Sequence, residues 1–122
     1  IMLTRIKQMH MKFKITHMNV AFTPKEKEFR ICAMQEELDE YKEAKTAEEE
    51  LDALVDLVVF AFGTAERQGW ISIFEHAYHR VMNANMKKEI GTNTKRGSFK
   101  IDLVKPKGWK APNHSDLIER LR

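Results

Sequence analysis

Two short acidic segments carry the residue types in this sequence that are best suited to metal chemistry. The first contains Glu37 and Glu40, three positions apart, and the second contains Asp52 and Asp56, four positions apart. In a helix both spacings place the two carboxylates on one face, where like charges repel. Two such faces turned toward each other would be stable only with a cation between them. We therefore expect these four carboxylates to ligate Mg²⁺, a hard ion that prefers oxygen ligands.

The neighbouring residues indicate which acidic side chains are the better candidates. Asp52 and Asp56 stand in a run of Leu and Val, where a solvated face is not expected, whereas Glu48 and Glu50 are typical of an exposed helix surface. Glu49 stands three residues before Asp52 and is therefore a further candidate metal ligand. Whether Glu49 or Asp56 completes the set with Asp52 stays open from the sequence.

Other catalytic chemistries lack their residue patterns here. The chain has no glycine-rich phosphate loop, no Gly-x-Ser-x-Gly segment and no cysteine–histidine nucleophile pairing. A di-iron bundle needs a histidine three positions after a glutamate, which neither Glu37 nor Glu75 has. His76 and His79 are therefore interpreted as structural or surface residues, and the single cysteine, Cys32, as a small buried side chain. Water activated by a metal ion is the nucleophile that remains.

Length and composition predict one globular domain. The 122 residues are 43% hydrophobic and 32% charged, so we assign residues 1–122 to a single domain. The net charge of +3 combines an acid-rich stretch, 36–56, with a lysine-rich stretch, 87–110. No apolar run reaches the roughly 20 residues of a membrane span and no signal-peptide pattern is present, so we expect a cytoplasmic protein with no membrane partner.

Apolar periodicity and capping signals predict an all-α fold, an antiparallel four-helix bundle with an irregular C-terminal arm. The helical core is about 3–90 and the basic arm about 91–122. The predicted helices span about 3–13, 24–44, 47–67 and 71–89, with Thr23 and Thr46 as N-caps and Gly91 as the final C-cap signal. In the arm, we expect an extended or hairpin segment at 99–104, a turn at 106–109 and a helical turn or two at 115–121.

Two of the predicted helices have apolar positions that we expect to face a core. In the second helix these are Phe29, Ile31, Cys32, Met34, Leu38 and Tyr41, and in the fourth they are Ile73, Phe74, Ala77, Val81 and Met82. The third helix is apolar on nearly every side after Asp56, which is typical of a central helix or of one at a subunit interface.

The order of these segments resembles that of the MazG-like all-α nucleoside triphosphate pyrophosphohydrolases. The similarity is closest to the short phage and bacterial type described as phosphoribosyl-ATP pyrophosphohydrolase-like. Matching segments lie along most of the chain: Met9-His10 to Phe13, Glu36 to Glu40, Glu49 to Val58, Phe62 to Ala65, Ala84 to Lys88, and Lys105 to Pro112. Ala84 and Lys87 stand where this family has serines, which is a departure from its pattern.

The resemblance implies hydrolysis of a (d)NTP to the monophosphate and pyrophosphate, with Mg²⁺ as cofactor and Mn²⁺ as a substitute. It implies Glu37 and Glu40 as catalytic residues and metal ligands, with Asp52, Asp56 and Glu49 as further ligands. It also implies a homodimer or homotetramer in a bacterial or phage-infected cell. Substrate contacts would come from Asn85, Lys88, Lys105 and Trp109. The alternative is a non-catalytic helical module that binds nucleic acid through its basic C-terminal region.

Overall fold

The computed structural model describes all of residues 1–122 and is mostly helical. Its main regular elements are four long helices, one small two-stranded sheet and a short C-terminal helix, and residues Thr94–Arg96 form a 3-10 turn. The helices and strands are α1 (Met2–Lys12), α2 (Pro24–Glu43), α3 (Ala47–Arg67), α4 (Ile71–Asn85), β1 (Glu89–Gly91), β2 (Asp102–Val104) and the short α5 (Ser115–Glu119). The chain divides into two compact units, Ile1–Ser72 and Ile73–Arg122. No helix is long and apolar enough to cross a bilayer.

The starts of α2 and α3 follow the capping signals in the sequence. The Thr23 hydroxyl accepts a hydrogen bond from the backbone N–H of Glu26 at 3.1 Å, and Thr46 accepts one from Glu49 at 3.1 Å. The Glu49 carboxylate in turn accepts from the backbone N–H of Lys45, one residue before the cap, at 3.0 Å, so it satisfies a donor just outside the helix and not the N-cap N–H of a capping box. Because residues 44–46 alone connect them, α2 and α3 pack against each other as an antiparallel hairpin.

The buried face of α2 differs from the expected one. Its buried residues are Arg30, Ala33 and Glu37, which lie three and four positions apart on one side of the helix. The apolar side chains that we expected to face a core are largely exposed within the chain, among them Phe29 at 59%. Cys32 is exposed as well, so its interpretation as a buried side chain was wrong.

The second unit contains the end of α4, the two strands and α5. The helix ends at Asn85, four residues before the predicted end, because residues 89–91 pair instead with 102–104 as an antiparallel ladder. Gly91 is therefore a strand residue and not a helix C-cap. A Cβ atom at Gly91 would lie 2.7 Å from Val104 Cγ2, so the glycine permits the close approach of the two strands.

The C-terminal arm otherwise follows the sequence-based expectations. Its predicted extended segment contains β2, the turn at 106–109 is closed by a hydrogen bond from Trp109 N–H to Pro106 O, and α5 lies within the predicted helical segment. In α4, Ile73 is buried as expected, whereas Val81 and Met82 are exposed within the chain.

Candidate metal centre

Packing of α2 against α3 brings together carboxylates from both acidic segments. Glu37 and Glu40 lie on α2 and Asp56 lies on α3, and one oxygen of each lies within 4.8 Å of the others. These are the distances at which a single cation can be ligated by all three side chains. Glu37 and Glu40 from the first acidic segment thus meet Asp56 from the second across the α2–α3 hairpin.

Glu37 distinguishes this cluster from an ordinary acidic surface. Its residue surface is only 9% exposed, and its Oε2 atom is buried without any hydrogen-bond partner. A buried carboxylate oxygen without a hydrogen-bond donor is unfavourable when the group is ionised, because that oxygen has lost its hydration and no protein donor replaces it. A divalent cation would supply the missing positive charge, so the residues present fit a hard metal ion.

The electrostatics of the cluster agree with a site that lacks positive charge of its own. Burial, followed by the nearby carboxylates of Glu40, Asp56 and Asp52, raises the pKa of Glu37 to about 7. Burial and the carboxylates of Asp52 and Glu40 also raise the pKa of Asp56. Negative charge that raises neighbouring pKa values in this way is the condition under which cation binding gives the largest gain.

Asp52 and Glu49 occupy different positions relative to the cluster of Glu37, Glu40 and Asp56. Asp52 is exposed and outside the group of mutually close oxygens, but it is near enough to Asp56 to raise that residue's pKa through charge and a hydrogen bond. Glu49 is exposed, and one of its oxygens already accepts from the backbone N–H of Lys45 just before α3. Both residues line an open cleft of about 560 Å³ on the α3 surface.

A second polar network within the first unit was not predicted from the sequence. Glu66, 1% exposed, accepts from two histidine rings: His10 Nδ1 lies 2.5 Å from Oε1 and His17 Nδ1 lies 2.8 Å from Oε2. His10 itself is 2% exposed. Burial alone would raise the pKa of Glu66, but the hydrogen bonds from His17 and His10 outweigh it and lower the pKa. The network joins α1 and the segment after it to α3.

An ion-pair network of Glu26, Arg30 and Arg67 lies next to the histidine–glutamate network. Glu26 on α2 pairs with Arg67 at 2.6 Å and with Arg30 at 3.2 Å, and both arginines are buried. Gly63 on α3 makes room for it, because a Cβ atom there would lie 2.9 Å from the Arg30 guanidinium and 3.4 Å from His10 Nε2. The signal in the sequence was His10 at an apolar position of α1 and Glu66-Arg67 at the end of an apolar helix.

The four residues expected to contact substrate lie in the second unit, and three of them form a group. The ammonium groups of Lys88 and Lys105 lie 5.1 and 5.3 Å from the Trp109 ring centroid. Trp109 donates its indole N–H to the backbone oxygen of Ala84 at 2.8 Å. Asn85, the last residue of α4, is half-buried, and its backbone oxygen accepts from Lys88.

Comparison with known proteins does not identify a family for this chain. No protein-family model matches the chain, and a search of curated proteins finds no similar sequence.

Proposed function

We propose that the protein is a Mg²⁺-dependent nucleoside triphosphate pyrophosphohydrolase of the MazG-like type, which converts a (d)NTP to the monophosphate and pyrophosphate. The observation that carries the proposal is the buried, unpartnered Oε2 of Glu37 beside Glu40 and Asp56. An acidic helix surface alone would leave every carboxylate hydrated. Because this Glu37 oxygen is buried, unpaired and close to other carboxylates, a cation bound there would offset both its burial and the charge repulsion.

Glu37, Glu40 and Asp56 would hold the ion, with Asp52 beside Asp56 as a further ligand. A bound Mg²⁺, or Mn²⁺ in its place, supplies charge for the phosphate oxygens and lowers the pKa of water for attack on phosphorus. Glu40 is exposed, so its carboxylate can take a proton from the attacking water and pass it to solvent. Glu37 is buried, and its carboxylate would fix the ion between the two helices.

The substrate contacts in this proposal are Asn85, Lys88, Lys105 and Trp109. Lys88 and Lys105, held against the face of Trp109, offer ammonium groups to phosphate oxygens, and the amide of Asn85 offers a hydrogen bond to sugar or phosphate. Support for the MazG-like assignment is the order of the matching segments, together with an α2–α3 hairpin that brings two of them into contact.

A homodimer or homotetramer is part of the proposal, and exposed apolar side chains support it. Phe29, Ile31 and Leu38 on α2, and Leu51 and Val55 on α3, are all more than two-fifths exposed, with Leu51 at 65%. Monomeric proteins rarely leave so many large apolar groups in water on one helix pair. Light scattering should give two or four times the 14.3 kDa chain mass. L51E should lower this mass, whereas I90E in the exposed β1 strand should not.

A pyrophosphate-release screen over canonical and modified nucleotides, with Mg²⁺, Mn²⁺ or EDTA, tests the activity. Release should require the divalent ion and should fall to background in E40Q and D56N. E43Q is the matched control, since Glu43 is an exposed carboxylate on α2 outside the cluster. Hydrolysis of no nucleotide, together with salt-dependent DNA or RNA binding that survives E40Q and D56N, would instead establish the nucleic-acid-binding alternative.

A further inference from the structure

A cleft in the second unit carries positive charge that the proposed carboxylate centre does not explain. It is an open cleft of about 590 Å³ between the end of α4 and the loop 106–113. Asn83 on α4 and Lys87 just after the helix line one side of it, and Lys107, Trp109 and Lys110 line it from the loop. No acidic residue is among those that line it.

The loop side of the cleft is held in place by hydrogen bonds of Trp109. The indole N–H donates to Ala84 O at 2.8 Å, which fastens the loop to the end of α4. The backbone N–H donates to Pro106 O at 3.0 Å, and Gly108 with φ of +81° permits the tight turn between them. Lys107 therefore lies within a turn whose backbone is held by hydrogen bonds, and Lys110 follows directly after it.

Most of the positive charge around the cleft is unpaired. Arg80, which also lines it, is paired through both nitrogens with Asp116 at 2.6 and 2.8 Å. Lys87, Lys107 and Lys110 have no carboxylate oxygen within 4.0 Å. Three ammonium groups around one concave surface repel each other and attract an anion of several charges.

The end of α4 would by itself disfavour an anion, because the last carbonyls of a helix carry partial negative charge. Here Ala84 O, at the wall of the cleft, accepts from two donors, Trp109 Nε1 at 2.8 Å and Lys87 N–H at 3.1 Å. The ring of Trp109 is in turn engaged by the ammonium groups of Lys88 and Lys105. The cleft thus offers ammonium groups to phosphate oxygens. The Trp109 ring already contacts Lys88 and Lys105.

We propose that this cleft binds a condensed phosphate, either inorganic pyrophosphate or the phosphate chain of a nucleoside triphosphate, without a divalent ion. Lysine is the side chain that binds phosphate as a point charge, and three unpaired lysines match the charge of two or three linked phosphates. The proposal concerns residues of the second unit alone, so it stands whether or not the carboxylate centre is catalytic.

Isothermal titration calorimetry of the full chain with sodium pyrophosphate, in EDTA, tests the site. We expect binding to the unaltered protein and a Kd at least about tenfold higher in the double variant K107Q/K110Q. The control K25Q/K27Q removes the same net charge from exposed residues of α2 and should leave the Kd unchanged. All four lysines are exposed, and circular dichroism checks that both variants keep their helix content.

Three further titrations separate the sources of the ligand. Pyrophosphate binding should persist in D56N, which removes a ligand of the proposed metal centre and changes no residue that lines the cleft. A triphosphate nucleotide with a methylene bridge between the α and β phosphates should compete with pyrophosphate, and tighter binding of this analogue would assign the site to a nucleotide chain. Oligothymidylate that binds more tightly than pyrophosphate, an equal loss of affinity in K25Q/K27Q, or no pyrophosphate binding would overturn the proposal.

Discussion

Glu37→Gln should stabilise the metal-free protein at alkaline pH, although Glu37 is the innermost residue of the candidate metal centre. Burial and the carboxylates of Glu40, Asp56 and Asp52 raise the pKa of Glu37 from 4.5 to about 7. Below pH 4.5 the side chain is protonated in both the folded and the unfolded chain, so it contributes no electrostatic penalty. Above pH 7 it is ionised in both, and the full penalty of ionising it in the folded chain is present.

The size of this penalty follows from the two pKa values. At about 1.4 kcal/mol per pKa unit, the difference between 4.5 and about 7 corresponds to about 3 kcal/mol. The free energy of unfolding in EDTA should therefore lose about 3 kcal/mol through Glu37 as the pH rises from 4.5 to above 7. The glutamine variant keeps the side-chain shape without the charge, so it should not show this loss.

Urea denaturation followed by circular dichroism measures the effect. In EDTA at pH 8 we expect E37Q to be more stable than the unaltered protein by up to about 3 kcal/mol, and the two to be equally stable at pH 4. Added Mg²⁺ should stabilise the unaltered protein and have a smaller effect on E37Q. E36Q, a change at the exposed neighbouring glutamate, is the control and should stay within about 0.5 kcal/mol at both pH values. A variant no more stable than the unaltered protein at pH 8 in EDTA would refute the reasoning.

Three other substitutions test the packing that positions the site, each by urea denaturation. Glu66→Gln should cost about 3 kcal/mol at pH 7, because both histidine contacts lose a buried charged acceptor. Since the Glu66 pKa is lowered, the stability it contributes is present above pH 4.5 and is lost as the pH falls below that value, so the gap between variant and unaltered protein should narrow in acid. Gly63→Val should cost about 2 kcal/mol by displacing the buried Arg30, and a neutral result would show that the guanidinium moves freely. Trp109→Phe should cost about 1 kcal/mol by removing the indole donor to Ala84 O, and an unchanged midpoint would show that this hydrogen bond does not stabilise the loop.

The features that could be predicted from the sequence are those that local chemistry decides. Threonine caps, the glutamate at N3 and the apolar periodicity place α2 and α3 within one residue of the observed bounds. These local signals do not predict the early end of α4, because the pairing of 89–91 with 102–104 is a longer-range interaction that competes with the helix. Glycine is favoured both at a helix C-cap and where two strands approach closely, so the residue type at position 91 does not distinguish the two roles.

The candidate site divides in the same way. Spacing within each helix put Glu37 with Glu40 and Asp52 with Asp56, since a helical period relates positions along one segment. Only the packing of α2 on α3 decided that Glu37, Glu40 and Asp56 approach within 4.8 Å and that Asp52 remains exposed. Burial is likewise a property of the whole chain. The packing of the helices buries Arg30 and Glu37 of α2 and leaves most apolar side chains of that helix exposed. It also brings Glu66 into hydrogen-bond distance of two histidines about fifty residues away in the sequence.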